Sequence, residues 1–74
     1  MELRQLRYFV RVAETGSMGR AAVELGVVTS ALSQQISRLE SELATRLLQR
    51  GPAGVRPTEA GIAFLSEARL ALRH

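Results

Sequence analysis

Between Ser17 and Leu43 the chain carries a short helix signal running into Leu25-Gly26-Val27 and a longer one from Thr29 to Leu43. Two helices joined by so short a turn must cross sharply. In the longer segment Leu32, Ile36, Leu39 and Leu43 fall on one stripe, because steps of four, three and four residues return to the same side of a helix. Opposite them lie Ser30, Gln34, Ser37 and Ser41, flanked by Ser33 and Arg38. No acid occurs from Leu25 to Leu39. A helix face of hydroxyls, an amide and a guanidinium suits a DNA groove, where carboxylates would be repelled by the phosphates. The pattern is that of a helix-turn-helix over about residues 18–37.

The flanking segments build a small domain around this pair. A first helix is expected over Glu2–Glu14, with Leu3, Leu6, Phe9, Val10 and Ala13 facing inward and Arg4, Arg7 and Arg11 outward. Gly16 ends it, and Ser17 is placed to cap the next helix, Met18–Leu25, whose Ala21 and Ala22 permit close approach and whose Gly26 permits a positive φ. After Arg46, the runs Leu47-Leu48-Gln49-Arg50 and Val55-Arg56-Pro57 surround Gly51-Pro52-Ala53-Gly54, the pattern of a short hairpin, or wing. Thr58 caps a last helix that begins at Glu59 and is expected to reach the chain end. Phe64, Leu65, Ala68 and Leu72 share a stripe on it with Gly61, while Ile62, Ala63 and Leu70 are apolar elsewhere. One small core cannot cover so much, so Phe64, Leu65, Ala68 and Leu72 are expected to pair two copies of the chain.

Composition narrows the function classes. The ten basic residues are all arginine, and with seven acids they give a net charge of +3, too mild to identify a nucleic-acid binder by itself. A GC-rich coding sequence explains the absence of lysine as readily as bidentate phosphate recognition does. Distribution is more telling: residues 25–39 and 43–58 are free of acids, and these are the second helix of the pair and the wing. With no cysteine, and with the one histidine, His74, expected as a solvated end, no nucleophile–base pair or metal-ligand spacing is present, so no cofactor or catalysis is expected. The amino terminus lacks a signal-peptide run and no segment approaches the roughly 18 apolar residues of a membrane span, so a soluble, cytoplasmic protein is expected.

Leu3-Arg4-Gln5-Leu6-Arg7-Tyr8-Phe9, Gly16-Ser17, Ala21-Ala22, Ala31-Leu32-Ser33-Gln34-Gln35-Ile36, Leu39-Glu40 and Thr58-Glu59-Ala60-Gly61 stand in the order and spacing of a known signature. With them the chain resembles the N-terminal winged helix-turn-helix domain of LysR-type transcriptional regulators. The resemblance implies a mainly α fold with a three-helix core and a β-hairpin wing (1–57), followed by a long linker or dimerisation helix (58–74). It implies double-stranded DNA as partner, a homodimer through the last helix, higher oligomers in the full-length protein, and a small-molecule effector bound only by a larger C-terminal domain that these residues lack. On this reading Thr29, Ser30, Ser33, Gln34, Ser37 and Arg38 face the major groove and Arg50 and Arg56 serve the wing. Ser33 and Gln34 are the base readers, Ser30 and Ser37 phosphate contacts, Thr29 mainly a cap; Arg38 has a competing i, i+4 partner in Glu42. Four departures bear on the carry-over. Val28-Thr29-Ser30 replaces the usual serine, glutamine and proline, Ala53 an often basic wing residue, Met18 a usual phenylalanine and Ala44 a usual glycine. The alternative, from another class, is a protein-interaction module whose apolar last helix is the working surface.

Overall fold

The computed structural model describes residues 1–73; His74, expected as a solvated end, lies outside them. Four helices and one hairpin follow in the order α1 (Leu3–Thr15), α2 (Met18–Leu25), α3 (Thr29–Leu43), β1 (Leu48–Gly51), β2 (Gly54–Pro57) and α4 (Glu59–Leu72). The caps read from sequence are largely in place. Ser17 Oγ accepts from the Arg20 amide at 3.1 Å and Thr58 Oγ from the Gly61 amide at 3.0 Å. Gly16 and Gly26 both take left-handed φ angles of 71°.

Phe9, Val12, Ala21, Ala22, Leu32, Ile36, Leu39, Leu47, Leu48 and Ala68 form the closed core, with Leu6 at its margin. Each large side chain in it contributes about 1.5–3 kcal/mol of burial. The α3 stripe is as expected, with Leu32, Ile36 and Leu39 buried and Leu43 packed against them. That of α1 is turned by roughly 70° at 3.6 residues per turn. Val12 and Gln5 are buried whereas Leu3 is 57% exposed and Val10 and Ala13 only half-buried. Polarity explains why periodicity missed Gln5: its Oε1 accepts from the Glu2 amide at 3.1 Å and its Nε2 donates to Gln35 Oε1 at 3.2 Å. A hydrogen-bonded amide can be buried where a bare one cannot.

The last helix, where a linker or dimerisation helix is expected, is 14 residues long and lies on α1 as part of the same body. Phe64 meets Phe9 with ring centroids 5.6 Å apart and planes inclined at 60°. Of the stripe expected to pair two copies, Ala68 is closed within one chain, and Phe64, Leu65 and Leu72 pack on the core with half-exposed edges. Ile62 and Leu70, 60% and 54% exposed, are the large apolar side chains that α4 leaves outside. Ion pairs fasten the same side of the molecule. Arg69 Nη2 lies 2.9 Å from a Glu14 carboxylate oxygen, and Arg11 lies 3.5 Å from the other oxygen of Glu14 and 3.0 Å from Glu24. The Arg11 Nε hydrogen is not aimed at Glu24, so that contact is Coulombic rather than a hydrogen bond.

Candidate nucleic-acid interface

Helix α3 presents Thr29, Ser30, Gln34, Ser37 and Arg38 as exposed side chains, with Ser33 half-buried at the edge nearest the wing. Its two acids are both engaged by partners outside α3. Glu42 pairs with the Met1 ammonium rather than with Arg38, which has no ion pair among the described residues. Glu40 Oε2 accepts from the backbone amides of Leu47 and Leu48 at 2.7 and 3.0 Å, tying the end of α3 to the entry of the wing. Nothing in the spacing marks Glu40 for this role. In the sequence Glu40 stands as the end of an acid-free window and as half of the Leu39-Glu40 signature pair, and neither points to the amides it holds.

The start of α3 differs from expectation. Val28, not Thr29, is the N-cap, with φ −79° and ψ 150° and no side-chain hydrogen bond; Thr29 is the first helical residue. The valine side chain has no oxygen to offer, so the first-turn amides carry no side-chain cap. They lie at the exposed residues Val28, Thr29 and Ser30, in the position where an anion is favoured by the helix dipole.

The hairpin is antiparallel, with Leu48 opposite Pro57, Gln49 opposite Arg56, Arg50 opposite Val55 and Gly51 opposite Gly54. Side chains alternate faces along a strand, so Arg50 shares the side of buried Leu48 while Arg56 lies on the other side with Gln49. Arg50 Nη2 donates to Ser33 Oγ at 2.7 Å, joining a wing residue and a helix residue that the sequence placed in separate segments. Val55 N donates to Gly16 O at 3.0 Å, and Gly54, at φ 120°, lies where a side-chain carbon would stand 2.6 Å from that same oxygen. The wing is therefore held by the α1–α2 turn as well as by α3.

Three arginines of the α1–α4 side are paired, Arg4 with Glu2, Arg11 with Glu14 and Glu24, and Arg69 with Glu14, while Arg7, Arg20 and Arg73 have no ion pair among the described residues. Part of the first-helix arginine row is thus used internally. Arg38, Arg46, Arg50 and Arg56 are exposed and have no carboxylate within ion-pair distance among the described residues. Four unpaired cations beside a hydroxyl-rich helix make an electropositive surface on one side of the molecule.

Comparison with known proteins agrees with this geometry. The family of bacterial regulatory helix-turn-helix proteins called the lysR family matches residues 3–62. The chain belongs to the lysR family. The HTH-type transcriptional regulator BudR of Raoultella terrigena is 56% identical over 68 residues, covering 92% of this chain and 23% of BudR. The nitrogen assimilation regulatory protein nac of Klebsiella aerogenes is 47% identical over 73 residues, covering 99% of this chain and 24% of nac. Among solved structures, the crystal structure of the CbnR DBD–DNA complex superposes with a TM-score of 0.94 at 46% identity, covering 97% of this chain and 83% of that one. This lysR-family chain spans about a quarter of the length of the curated relatives it matches, 23% and 24% for these two. Both are regulators by name. No helix among the described residues is long and apolar enough to cross a membrane.

Proposed function

We propose that this chain is the DNA-reading unit of a bacterial transcriptional regulator and binds duplex DNA with sequence preference. Helix α3 enters the major groove, and the wing lies on the backbone or in the adjacent minor groove. The observation that carries the proposal is the exposed α3 face bearing Ser30, Ser33, Gln34, Ser37 and Arg38, with both α3 acids engaged elsewhere and four unpaired arginines around it. Gln34 and Ser33 set base preference; Arg50 and Arg56 act on the wing side, and Ser30 and Ser37 hold phosphate. The 46% identical CbnR domain, solved on DNA, supports the same mode.

The remaining length of the full protein holds a domain that takes a small-molecule effector and governs assembly, and the protein works in the bacterial cytoplasm. Two-fold pairing suits a reader of paired half-sites. Its contact falls to the outer side of α4, on Ile62 and Leu70 and the half-exposed edges of Phe64, Leu65 and Leu72, since Ala68 is closed within one chain.

Binding-site selection with the purified domain tests the proposal, together with retention on random duplex DNA at low salt. Retention with a selected half-site supports it. Exposed Ile62 and Leu70 favour a second reading, a protein-interaction module, and failure of the domain to be retained on any duplex at low salt would overturn the first reading and favour the second.

A further inference from the structure

We infer that Arg50 is a positioning residue that orients the Ser33 hydroxyl proton toward DNA, so that this serine favours an acceptor over a donor. The inference rests on the DNA-binding reading proposed above. A serine hydroxyl has one proton and two lone pairs, and unaided it turns to suit either kind of partner. Guanidinium has no such freedom: it is permanently charged and only donates.

The Arg50 Nη2 to Ser33 Oγ bond of 2.7 Å therefore has one polarity, with the serine oxygen accepting. The adjacent cation draws the oxygen end of the hydroxyl dipole toward the wing and leaves the proton directed away from it. Among the described residues no protein oxygen accepts that proton, and no carboxylate competes for Arg50. The strand register explains why Arg50 and not Arg56 does this. Arg50 lies on the Leu48 face of β1, turned toward α3, while Arg56 stands opposite Gln49 on the other face.

A donor on α3 complements purine N7, guanine O6, thymine O4 or a phosphate oxygen, and mismatches the amino group of cytosine. The shared chemistry is an acceptor oxygen or nitrogen. Whether base or backbone supplies it is decided by two arms of one experiment.

On the selected site, base analogues lacking one major-groove acceptor at a time, such as 7-deazapurines, form the first arm; single methylphosphonate linkages form the second. At one position in one arm the wild-type domain is expected to lose about tenfold in affinity, and Ser33→Ala is expected to lose nothing there. Arg50→Ala should lose most of that sensitivity, because the freed hydroxyl turns to other partners, and Arg50→Lys should restore it by donating to the same oxygen. In the Ser33→Ala background, Arg50→Ala should leave base preference as it was. An Arg50→Ala domain that discriminates as the wild type does would overturn the inference and leave DNA binding intact. So would a Ser33-dependent position that selects a cytosine amino group. Loss of all duplex binding by the wild type would remove both readings at once.

Discussion

Gly61 sets its bare Cα against the backbone of Leu47, so closely that a side-chain carbon there would overlap the Leu47 carbonyl oxygen. That oxygen is already committed, accepting from the Thr58 amide at 2.9 Å, and Thr58 Oγ donates to Arg46 O at 2.7 Å. The α3–wing connection and the start of α4 are thus joined backbone to backbone. Gly61→Ala is expected to destabilise the domain by about 3 kcal/mol, since backbone cannot yield as a flexible side chain can. Urea denaturation measures this, and an unchanged midpoint with an unchanged slope would refute the close approach.

Glu40 supplies a second joint in the same region. With its carboxylate bonded to the amides of Leu47 and Leu48, Glu40→Ala leaves both donors without their partner. The expected loss is about 2–3 kcal/mol, which for a domain of this size lowers the melting temperature by about 10 °C or more. Glu40→Gln, retaining one acceptor oxygen, should lie between. Equal melting temperatures for Glu40→Ala and wild type would show that the two bonds contribute nothing net.

Ala44 ends α3 in the left-handed region at φ 52°, the one non-glycine residue with positive φ among those described. Its neighbours close the helix there, with Thr45 N donating to Glu40 O at 3.0 Å and Ala44 N to Ser41 O at 3.1 Å. A Cβ is unfavourable in that conformation by about 1–2 kcal/mol, partly offset by the greater entropy glycine loses on folding. Ala44→Gly should therefore stabilise by about 0.5–1 kcal/mol, seen as a melting temperature raised by a few degrees. A fall would mean that the strain is relieved elsewhere.

Arg56 and Gln34 separate holding from reading. Arg56→Ala should weaken binding to all sequences alike and reduce the log–log salt slope by about one unit. Gln34→Ala should leave the slope alone and relax preference at one base pair, by about 1–3 kcal/mol of discrimination. Titrations at several salt concentrations and a repeated site selection distinguish the two. A reversed outcome would exchange the roles of the helix and the wing.

The outer side of α4 gives a fifth test. Ile62→Ser and Leu70→Ser should shift sedimentation toward monomer while leaving the melting temperature of a dilute sample near that of wild type, because neither residue is in the closed core. Ala68→Ser should instead lower stability through burial of an unpartnered hydroxyl. Monomer at tens of micromolar in the unmodified domain would remove the pairing proposal.

The fold was legible where local chemistry and periodicity agree. Ser17, Gly26 and Thr58 mark their helix ends by capping and by φ, and Leu32, Ile36 and Leu39 mark the buried side of α3 by spacing alone. What was not legible depends on partners distant in the chain. Gln5 is inside because Gln35, thirty residues later, answers its amide, and Glu40 serves amides seven and eight residues on. Arg11 and Arg50 look alike in sequence, yet one is matched by Glu14 and Glu24 and the other by a serine. The Phe64, Leu65, Ala68 and Leu72 stripe is one side of a helix as read; that α1 closes over Ala68 and part of the other three depends on packing that periodicity does not carry. Gly61 left a weaker sign: a glycine inside a helical pattern costs about 1 kcal/mol against alanine, and its close approach to Leu47 is the reason for it here.

The wing is fastened on three sides: to α3 through Glu40 and Arg50, to the α1–α2 turn through Gly16 and Val55, and to α4 through Thr58. A hairpin held in this way does not swing independently of the helix beside it. The spacing and angle between what α3 touches and what the wing touches are properties of the folded body, set before any encounter. Control by a larger protein around this unit would then act by placing whole units nearer, farther or at another angle, and not by reshaping the surface that each presents.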